Sequence, residues 1–475
     1  MKKISFFWFP AKRGPSLGAI VTILIIGLFL TTSATQAAQD SGKVLLAGTA
    51  KIDITPKKPV KMSGYAGRKG LSEGVHDPLS ARVIAFRGYG KDYADAEKDN
   101  GKQLVLVSTD LIGFYDGTAE HFRKIILDEF KLQPGDLFLS GIHTHAGPTL
   151  TIDKEKGHPN NLEYTESLKG KLIEAIRKAL NDMQPINIGV GIGYSPVGAN
   201  RRELKFDSSG NSSIKLGRNP YGPTDKEVLV MKVTKPLPAE PSLTKDVSGT
   251  GYSGQASDGA TIAALFDYAT HATCLGGKNY IISGDVIGLA EQFVEKILGE
   301  DVIAPAFTGA SGNINSWFRV LPTINTEPGW IPEPVLMGTM LGEEVVHVFR
   351  DIENVSGGGE IKTAFITLEL PGKPKDEVTI PKDCPPTPLN ITAARVGDIG
   401  FVGIGCEVLT EIGMAIKAAS PFEHTFVITH CNGAAGYLPP KHLYIEGGYE
   451  INSSPFAPQA ADMVVKQVVK MLHEL

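Results

Sequence analysis

Leu104-Val105-Leu106-Val107-Ser108-Thr109-Asp110 is a short apolar run closed by a carboxylate. Leu137-Phe138-Leu139-Ser140-Gly141 repeats the pattern and passes into Ile142-His143-Thr144-His145-Ala146-Gly147-Pro148. Between them, Thr118 to Phe130 carries Phe122, Ile125, Ile126 and Phe130 at helical spacing, so strand, helix and strand follow one another. The same rhythm predicts helices over residues 163–182, 285–298, 333–351, 408–419 and 457–474, and strands over 227–233, 261–271, 302–307, 362–370, 399–405 and 425–430. Such alternation is the signature of an α/β fold, here a mixed β-sheet core flanked by helices in a single catalytic domain. Pro/Gly/Ser-rich stretches at residues 235–259 and 372–389 read as surface insertions, because candidate chemistry lies on both sides of each.

The composition agrees with a packed domain: 475 residues, 42% hydrophobic and 21% charged, exclude disordered and fibrous classes. A net charge of −5 offers no basic stripe for phosphate backbones, so no nucleic-acid partner is expected. Four cysteines, at 274, 384, 406 and 431, form no C-x-x-C pair and no disulfide scaffold. A Cys406–Cys431 bridge is conceivable, but free buried thiols are the favoured reading.

The N-terminus reads as a secretory signal. Lys2, Lys3, Lys12 and Arg13 precede an apolar run over residues 17–30, and small residues follow at Ala34, Ala37 and Ala38. Cleavage near Ala37 or Ala38 is favoured over an uncleaved anchor, because the run is shorter than the roughly 20 residues that span a bilayer. Residues 1–38 carry four basic side chains and no acidic ones, so their removal takes the net charge from −5 to −9. The expectation is a secreted or periplasmic protein of residues 39–475 with no stable membrane span, anchored only if the signal is retained.

His143 and His145 stand at alternate positions where a strand ends, so in extended chain they point the same way. That is a candidate metal or catalytic pair, although paired histidines also arise from composition alone. His271 ends the run Asp267-Tyr268-Ala269-Thr270-His271, Glu407 follows Gly400 to Cys406, and Tyr437 lies in Gly433-Ala434-Ala435-Gly436-Tyr437. Taken singly, these have ordinary explanations: a hydrogen-bonded strand end, a carboxylate at a helix N-terminus and a packed aromatic. His76, His430 and His442 compete for a metal role, and His430 also ends a strand; His121 and His347 read as ordinary helix residues.

Together these segments resemble the neutral, non-lysosomal ceramidases, zinc-dependent amidases that cleave the acyl chain from N-acylsphingosines. The resemblance starts at Gly48-Thr49-Ala50-Lys51-Ile52-Asp53-Ile54-Thr55 and Met62-Ser63-Gly64-Tyr65. It runs through Gly141 to Pro148, Ala199-Asn200-Arg201, Pro223-Thr224-Asp225-Lys226-Glu227, His271, Ser283-Gly284-Asp285, Gly405-Cys406-Glu407 and the stretch from Gly436-Tyr437 to Tyr449-Glu450. It implies Zn2+ held by His143, His271, Glu407 and Tyr437, with His145, Arg201 and Tyr449 around the substrate head and scissile amide. Gly64 falls in a turn beside the head group, and Asp110 or Asp285 would orient a ligand histidine.

Two departures bear on mechanism. Gly312-Asn313-Ile314-Asn315-Ser316 puts Asn315 where the family carries a serine and Ser316 where it carries a proline. The family also has a further C-terminal β-sandwich domain, which this sequence, ending at Leu475, is expected to lack. A zinc-activated water needs no protein nucleophile, so cleavage of a lipid amide remains the leading expectation. The alternatives are a zinc hydrolase of another amide or ester on a small-molecule substrate, and a zinc-containing binding protein without turnover. N-terminal sequencing of exported material is expected to begin near Ala38 to Asp40, and an intact Met1 in the membrane fraction would establish the anchor instead.

Overall fold

Apolar runs without polar alternation can be buried only if both faces of their sheet are covered. In the computed structural model, which describes residues 44–88, 102–237, 259–317, 333–353, 355–356, 359–374 and 384–475, this is how they are used. The segment read as a signal, most of the stretch over 235–259 and half of that over 372–389 lie outside these residues. Strands β1 (Leu45–Asp53), β2 (Ser80–Gly88), β3 (Lys102–Thr109) and β4 (Leu137–Gly141) run side by side in the order β4-β3-β2-β1. β3 and β4 are parallel, with Val107 opposite Leu139, and α1 (Thr118–Phe130) is their crossover. Val105 and Val107 face α1 and α2 (Pro159–Asn181), whereas Leu104 and Leu106 face a second core on the opposite side.

Two more parallel pairs meet that second core. β5 (Asn187–Tyr194) leads into the hairpin β6 (Gly198–Phe206) and β7 (Ser212–Asn219), then to β8 (Glu227–Thr234), β9 (Thr261–Tyr268) and β10 (Ala306–Thr308). Four of these form a sheet ordered β10-β9-β8-β5, with β9 and β10 parallel across α3 (Asp285–Leu298). β11 (Ile314–Ser316) pairs with β6 to make a small sheet with the hairpin. α4 (Glu333–Asp351) packs against α3. Finally β12 (Ile361–Leu370), β13 (Thr387–Val396), β14 (Ile399–Ile404) and β15 (His424–Ile428) form a sheet in chain order. Here β14 and β15 are parallel across α5 (Thr410–Ala419), and α6 (Ala460–Glu474) covers the outer face.

Leu106 and Phe138, Leu265 and Phe307, and Phe401 and Phe426 therefore share one core between three sheets. Each parallel pair ends toward the same region, and every candidate metal ligand but Tyr437 follows the end of one of these strands.

The mixed sheets and flanking helices are those the sequence predicts, with local shifts. α2 starts at Pro159 rather than 163, because His158 caps it by accepting from the Asn160 amide and proline suits the first turn. The strand expected over 302–307 forms at Ala306–Thr308, and Ile303 makes only an isolated bridge to Ala263. The helix expected from 408 starts at Thr410, because Glu407–Val408 pair with Tyr437–Leu438. The end of the stretch read as an insertion over 372–389 is part of β13, with Pro388 where only β12 pairs with it, so its missing N–H costs no ladder bond to β14.

Arg82, at 0% exposure on β2, joins the first sheet to α3. Its Nη1 donates to Glu291 Oε2 at 2.6 Å and to Asp110 Oδ1 at 3.1 Å, and its Nε donates to Glu295 Oε1 at 2.7 Å. The carboxylates also accept from the backbone: Asp110 from the Ser80 amide and Glu291 from the Ala306 amide. Burial disfavours the Arg82 charge, but the three acids outweigh it and hold its pKa above the ordinary value. Removing the guanidinium strands buried carboxylates, so Arg82→Met is expected to cost about 3–5 kcal/mol of unfolding free energy in urea titration. A loss below about 1 kcal/mol would show that the cluster does not hold the sheet to the helix.

Candidate metal centre

His143 leaves β4 with φ 62°, a left-handed backbone that a non-glycine residue adopts only when its surroundings impose it. Its amide donates to the Leu111 carbonyl, and its ring Nδ1 lies 2.8 Å from the Ile112 carbonyl. A carbonyl can only accept, so Nδ1 carries the proton and Nε2 presents a bare lone pair. His271, past the end of β9, is fixed likewise: Nδ1 lies 2.8 Å from the Ser311 carbonyl and 3.1 Å from that of Ile314. Backbone carbonyls thus do the orienting expected of Asp110 or Asp285. Asp110 instead binds Arg82, and Asp285 accepts from the Cys274, Leu275 and Val286 amides, fixing the loop after His271.

Glu407 follows β14, its backbone paired with Tyr437. Its Oε2 lies 3.6 Å from His143 Nε2 and 3.5 Å from His271 Nε2, and has no hydrogen-bond partner. Four ligands at about 2.1 Å around a tetrahedral ion stand about 3.4 Å apart, so this spacing and this orphaned carboxylate oxygen fit a cation. Burial alone would raise the Glu407 pKa. The neighbouring His143 and His430, a hydrogen bond from Tyr437 and the charge of Arg201 outweigh it and keep the group ionised below the usual carboxylate range.

Arg201, on β6, closes the opposite side. Its Nε donates to Glu450 Oε1 at 2.9 Å, Nη2 to the Tyr437 hydroxyl at 3.2 Å, and Nη1 to Asn315 Oδ1 at 3.3 Å and His271 Nε2 at 3.1 Å. Tyr449, 46% exposed, stacks edge-on against Tyr437 with centroids 5.5 Å apart. His145 Nε2 is 3.3 Å from His143 Nε2, and its ring lies against Gly64, where a Cβ would come within 2.4 Å. Gly64, with φ 95°, is therefore needed both for its backbone and for the room it leaves. All nine residues named from sequence thus gather in one place.

The structure adds two more. The His430 ring stacks on His143 at 3.7 Å with a buried, unpartnered Nε2, and His143, Glu407 and His430 form a second group of metal-ligating atoms beside His143, His145 and His271. Its strand-end position was the available signal. Tyr115 lies half-buried in the turn before α1, its hydroxyl 3.3 Å from Glu407 Oε1 and 3.4 Å from His430 Nδ1; nothing in Gly113-Phe114-Tyr115-Asp116-Gly117 marks it beyond the turn glycines. His76 pairs with Asp77, His442 with Glu411, and His347 with Glu344 and Asp351, all outside these groups. The four cysteines form no disulfide, and Cys274, Cys406 and Cys431 are buried.

Burial, and then the positive potential of His143, holds the His430 pKa well below 6.5. A base depressed in this way is neutral when folded but charged in the unfolded chain below pH 6.5, so its contribution to stability is lost as pH falls. Asp267, pushed up to about 7 by burial, works in the opposite direction as pH rises. The difference between the wild type and His430→Gln isolates the histidine. In chelator, the stability advantage of the wild type is expected to fall by up to about 1.4 kcal/mol per pH unit below 6.5. An advantage unchanged between pH 6.5 and 5 would contradict a neutral, buried His430.

No family model matches the chain. It is 26% identical over 268 residues to a neutral ceramidase of Oryza sativa subsp. japonica, covering 54% of this chain and 29% of the relative. It is 25% identical over 293 residues to the neutral ceramidase of Mycobacterium tuberculosis, covering 57% and 39%. The chain thus spans about a third of the length of these curated relatives. Its fold matches the crystal structure of neutral ceramidase from Pseudomonas aeruginosa with a TM-score of 0.67 and 17% identity, over 90% of this chain and 74% of that one. In sequence over about half its length, and in fold over most of it, the chain is similar to neutral ceramidases.

Proposed function

We propose that residues 39–475 form a zinc-dependent amidohydrolase that cleaves the linear amide of N-acylsphingosine-type lipids outside the cytoplasm. The orphaned Oε2 of Glu407, between the unprotonated Nε2 atoms of His143 and His271, carries this reading. His143, His271, Glu407 and Tyr437 would hold the ion. Once bound, it supplies Lewis acidity and brings the pKa of a coordinated water toward about 7.

The chain's own residues do the rest. Arg201 Nη1 now donates to the His271 lone pair that a cation would take, so binding releases that N–H for a substrate oxygen. Tyr449, at the exposed edge, can donate to the same oxygen. His145 is kept neutral by burial, then by His143 and His271, which suits a group that takes a proton and returns it to the leaving amine. Asn315 holds Arg201 and brings no nucleophile. Ser316 cannot replace the family serine, because it is buried and its Oγ accepts from Cys274 Sγ. Asn315 is also the observation that favours the second reading, hydrolysis of a different amide or ester. Among the described residues no helix is long and apolar enough to cross a membrane.

The test joins metal analysis to turnover. The purified protein is expected to hold close to one zinc, lost in the His143→Ala, His271→Ala double variant. Fatty-acid release from N-acylsphingosines should fall more than about 100-fold in Glu407→Gln, which loses the anionic ligand, and only modestly in Asn315→Ala. Less than a tenth of an equivalent of zinc would overturn the metal reading. Turnover of N-acyl amino acids or aryl esters without any sphingolipid would replace the substrate, and zinc without turnover would leave a binding protein.

A further inference from the structure

The β6–β7 hairpin begins inside the candidate centre at Arg201 and ends in solvent. Its register places Arg202 opposite Leu216, Leu204 opposite Ile214 and Phe206 opposite Ser212, so these side chains share one face. Glu203, Lys205, Lys215 and Ser213 share the other. The first face is apolar where it should be wet: Leu204 is 56% exposed, Phe206 68% and Leu216 51%. The turn 445–449 abuts this face, with Arg202 Nη2 donating to the Gly447 carbonyl and Ile214 against Gly448. That turn adds Ile445, 94% exposed, and leads directly to Tyr449 beside Tyr437. An apolar track thus runs from the hairpin to the exposed edge of the centre.

We propose that the apolar face of the β6–β7 hairpin, with Ile445, docks on a lipid bilayer surface and presents the centre to a membrane-embedded substrate. Two observations select a lipid surface over another occupant. One is the continuity of the track with the centre: a two-chain lipid amide does not exist as a free monomer in water, so a domain that hydrolyses it must touch the surface that holds it. This step rests on the lipid-amide reading above. The other is charge. From Glu203 to Asn219 the hairpin carries Lys205, Lys215 and Arg218 against Glu203 and Asp207, with Lys205 paired to Glu203 at 3.2 Å, a small basic excess in a chain of net charge −5. Lys205 and Lys215 are exposed on the face opposite the apolar one, as in interfacial segments that insert apolar side chains and keep cations at the headgroups. That excess supplies the weaker, headgroup-dependent part of the attraction, and the apolar face the larger part.

The experiment is co-sedimentation of the exported protein with sucrose-loaded vesicles of phosphatidylcholine alone or mixed with phosphatidylglycerol. The wild type is expected to bind the mixed vesicles, more weakly at high salt. The variant Leu204→Ser, Phe206→Ser, Leu216→Ser should bind at least about tenfold less, and Lys205→Glu, Lys215→Glu should lose mainly the phosphatidylglycerol-dependent part. Neither variant alters a residue of the centre, so turnover of a water-soluble short-chain N-acyl substrate should be unchanged while turnover of vesicle-borne substrate falls. Vesicle binding unaffected by the triple change overturns the proposal. So does a wild-type dimer that ignores vesicles and becomes monomeric in the triple variant, since β7 would then be an edge shared between copies. If binding depends on the hairpin but no lipid amide is cleaved, docking stands and the substrate reading falls; if lipid amides are cleaved and binding ignores the hairpin, the reverse holds.

Discussion

A carboxylate shut away from water must find compensating positive charge or give up its own. Glu407 keeps its charge, and its neighbours are arranged to that end. Tyr115 and Tyr437 contact it through their hydroxyls, His143 and His271 bring their lone pairs to its Oε2, and Arg201 stands beyond them. Burial lowers the pKa of both imidazoles, which favours their Nε2 atoms as donors to a cation. The Tyr115 hydroxyl donates to Oε1, and Oε2 is left open. An open anionic oxygen facing neutral nitrogen donors is the arrangement a divalent cation completes, and few other groups could.

The fold delivers these atoms by repeating one device three times. A strand, a crossover helix and a parallel strand form each unit, and the three inner faces share a core, so the strand ends are brought to one rim. Ligands at such ends inherit the rigidity of the sheets. The cost is local: His143 and His430 both sit at positive φ, 62° and 52°, where the chain turns sharply out of a strand to aim a ring inward. Arg82 plays a complementary part below the rim, since its three carboxylate partners tie the first sheet to the helix between β9 and β10 and so fix one unit against another.

What the sequence reveals follows from which residues are buried by apolarity. Strands enclosed on both faces, such as Lys102–Thr109 and Glu227–Thr234, show as apolar runs, and the Asp285–Leu298 helix is delimited at both ends. The β6–β7 hairpin gives no such run, because Gly198–Phe206 buries Arg201 and Arg202 against Glu450 and leaves its leucine and phenylalanine in solvent. The site was legible where a side chain ends a strand. It was not legible where the chemistry lies in the backbone: the carbonyls of Ile112 and Ser311 fix the histidine tautomers, and no residue type announces a carbonyl. Carboxylates were the natural guess for that task, and Asp110 and Asp285 are engaged elsewhere.

Asn315 brings the two halves of the problem together. A serine at this position could attack a carbonyl only if it lost its proton to a base, whereas an amide side chain can only accept and donate hydrogen bonds. Here its oxygen accepts from Arg201 Nη1, the same nitrogen that reaches His271 Nε2. Arg201 is thus shared between a ligand lone pair and Asn315, and occupation of that lone pair by a cation would leave Asn315 holding the guanidinium in place beside Tyr437. An amide here brings no nucleophile, and its oxygen holds Arg201, which touches both His271 and the solvent-facing Tyr449. Under the proposed function such a chain would take its nucleophile from water and its charge stabilisation from Arg201, and its substrate would be one that those two can serve.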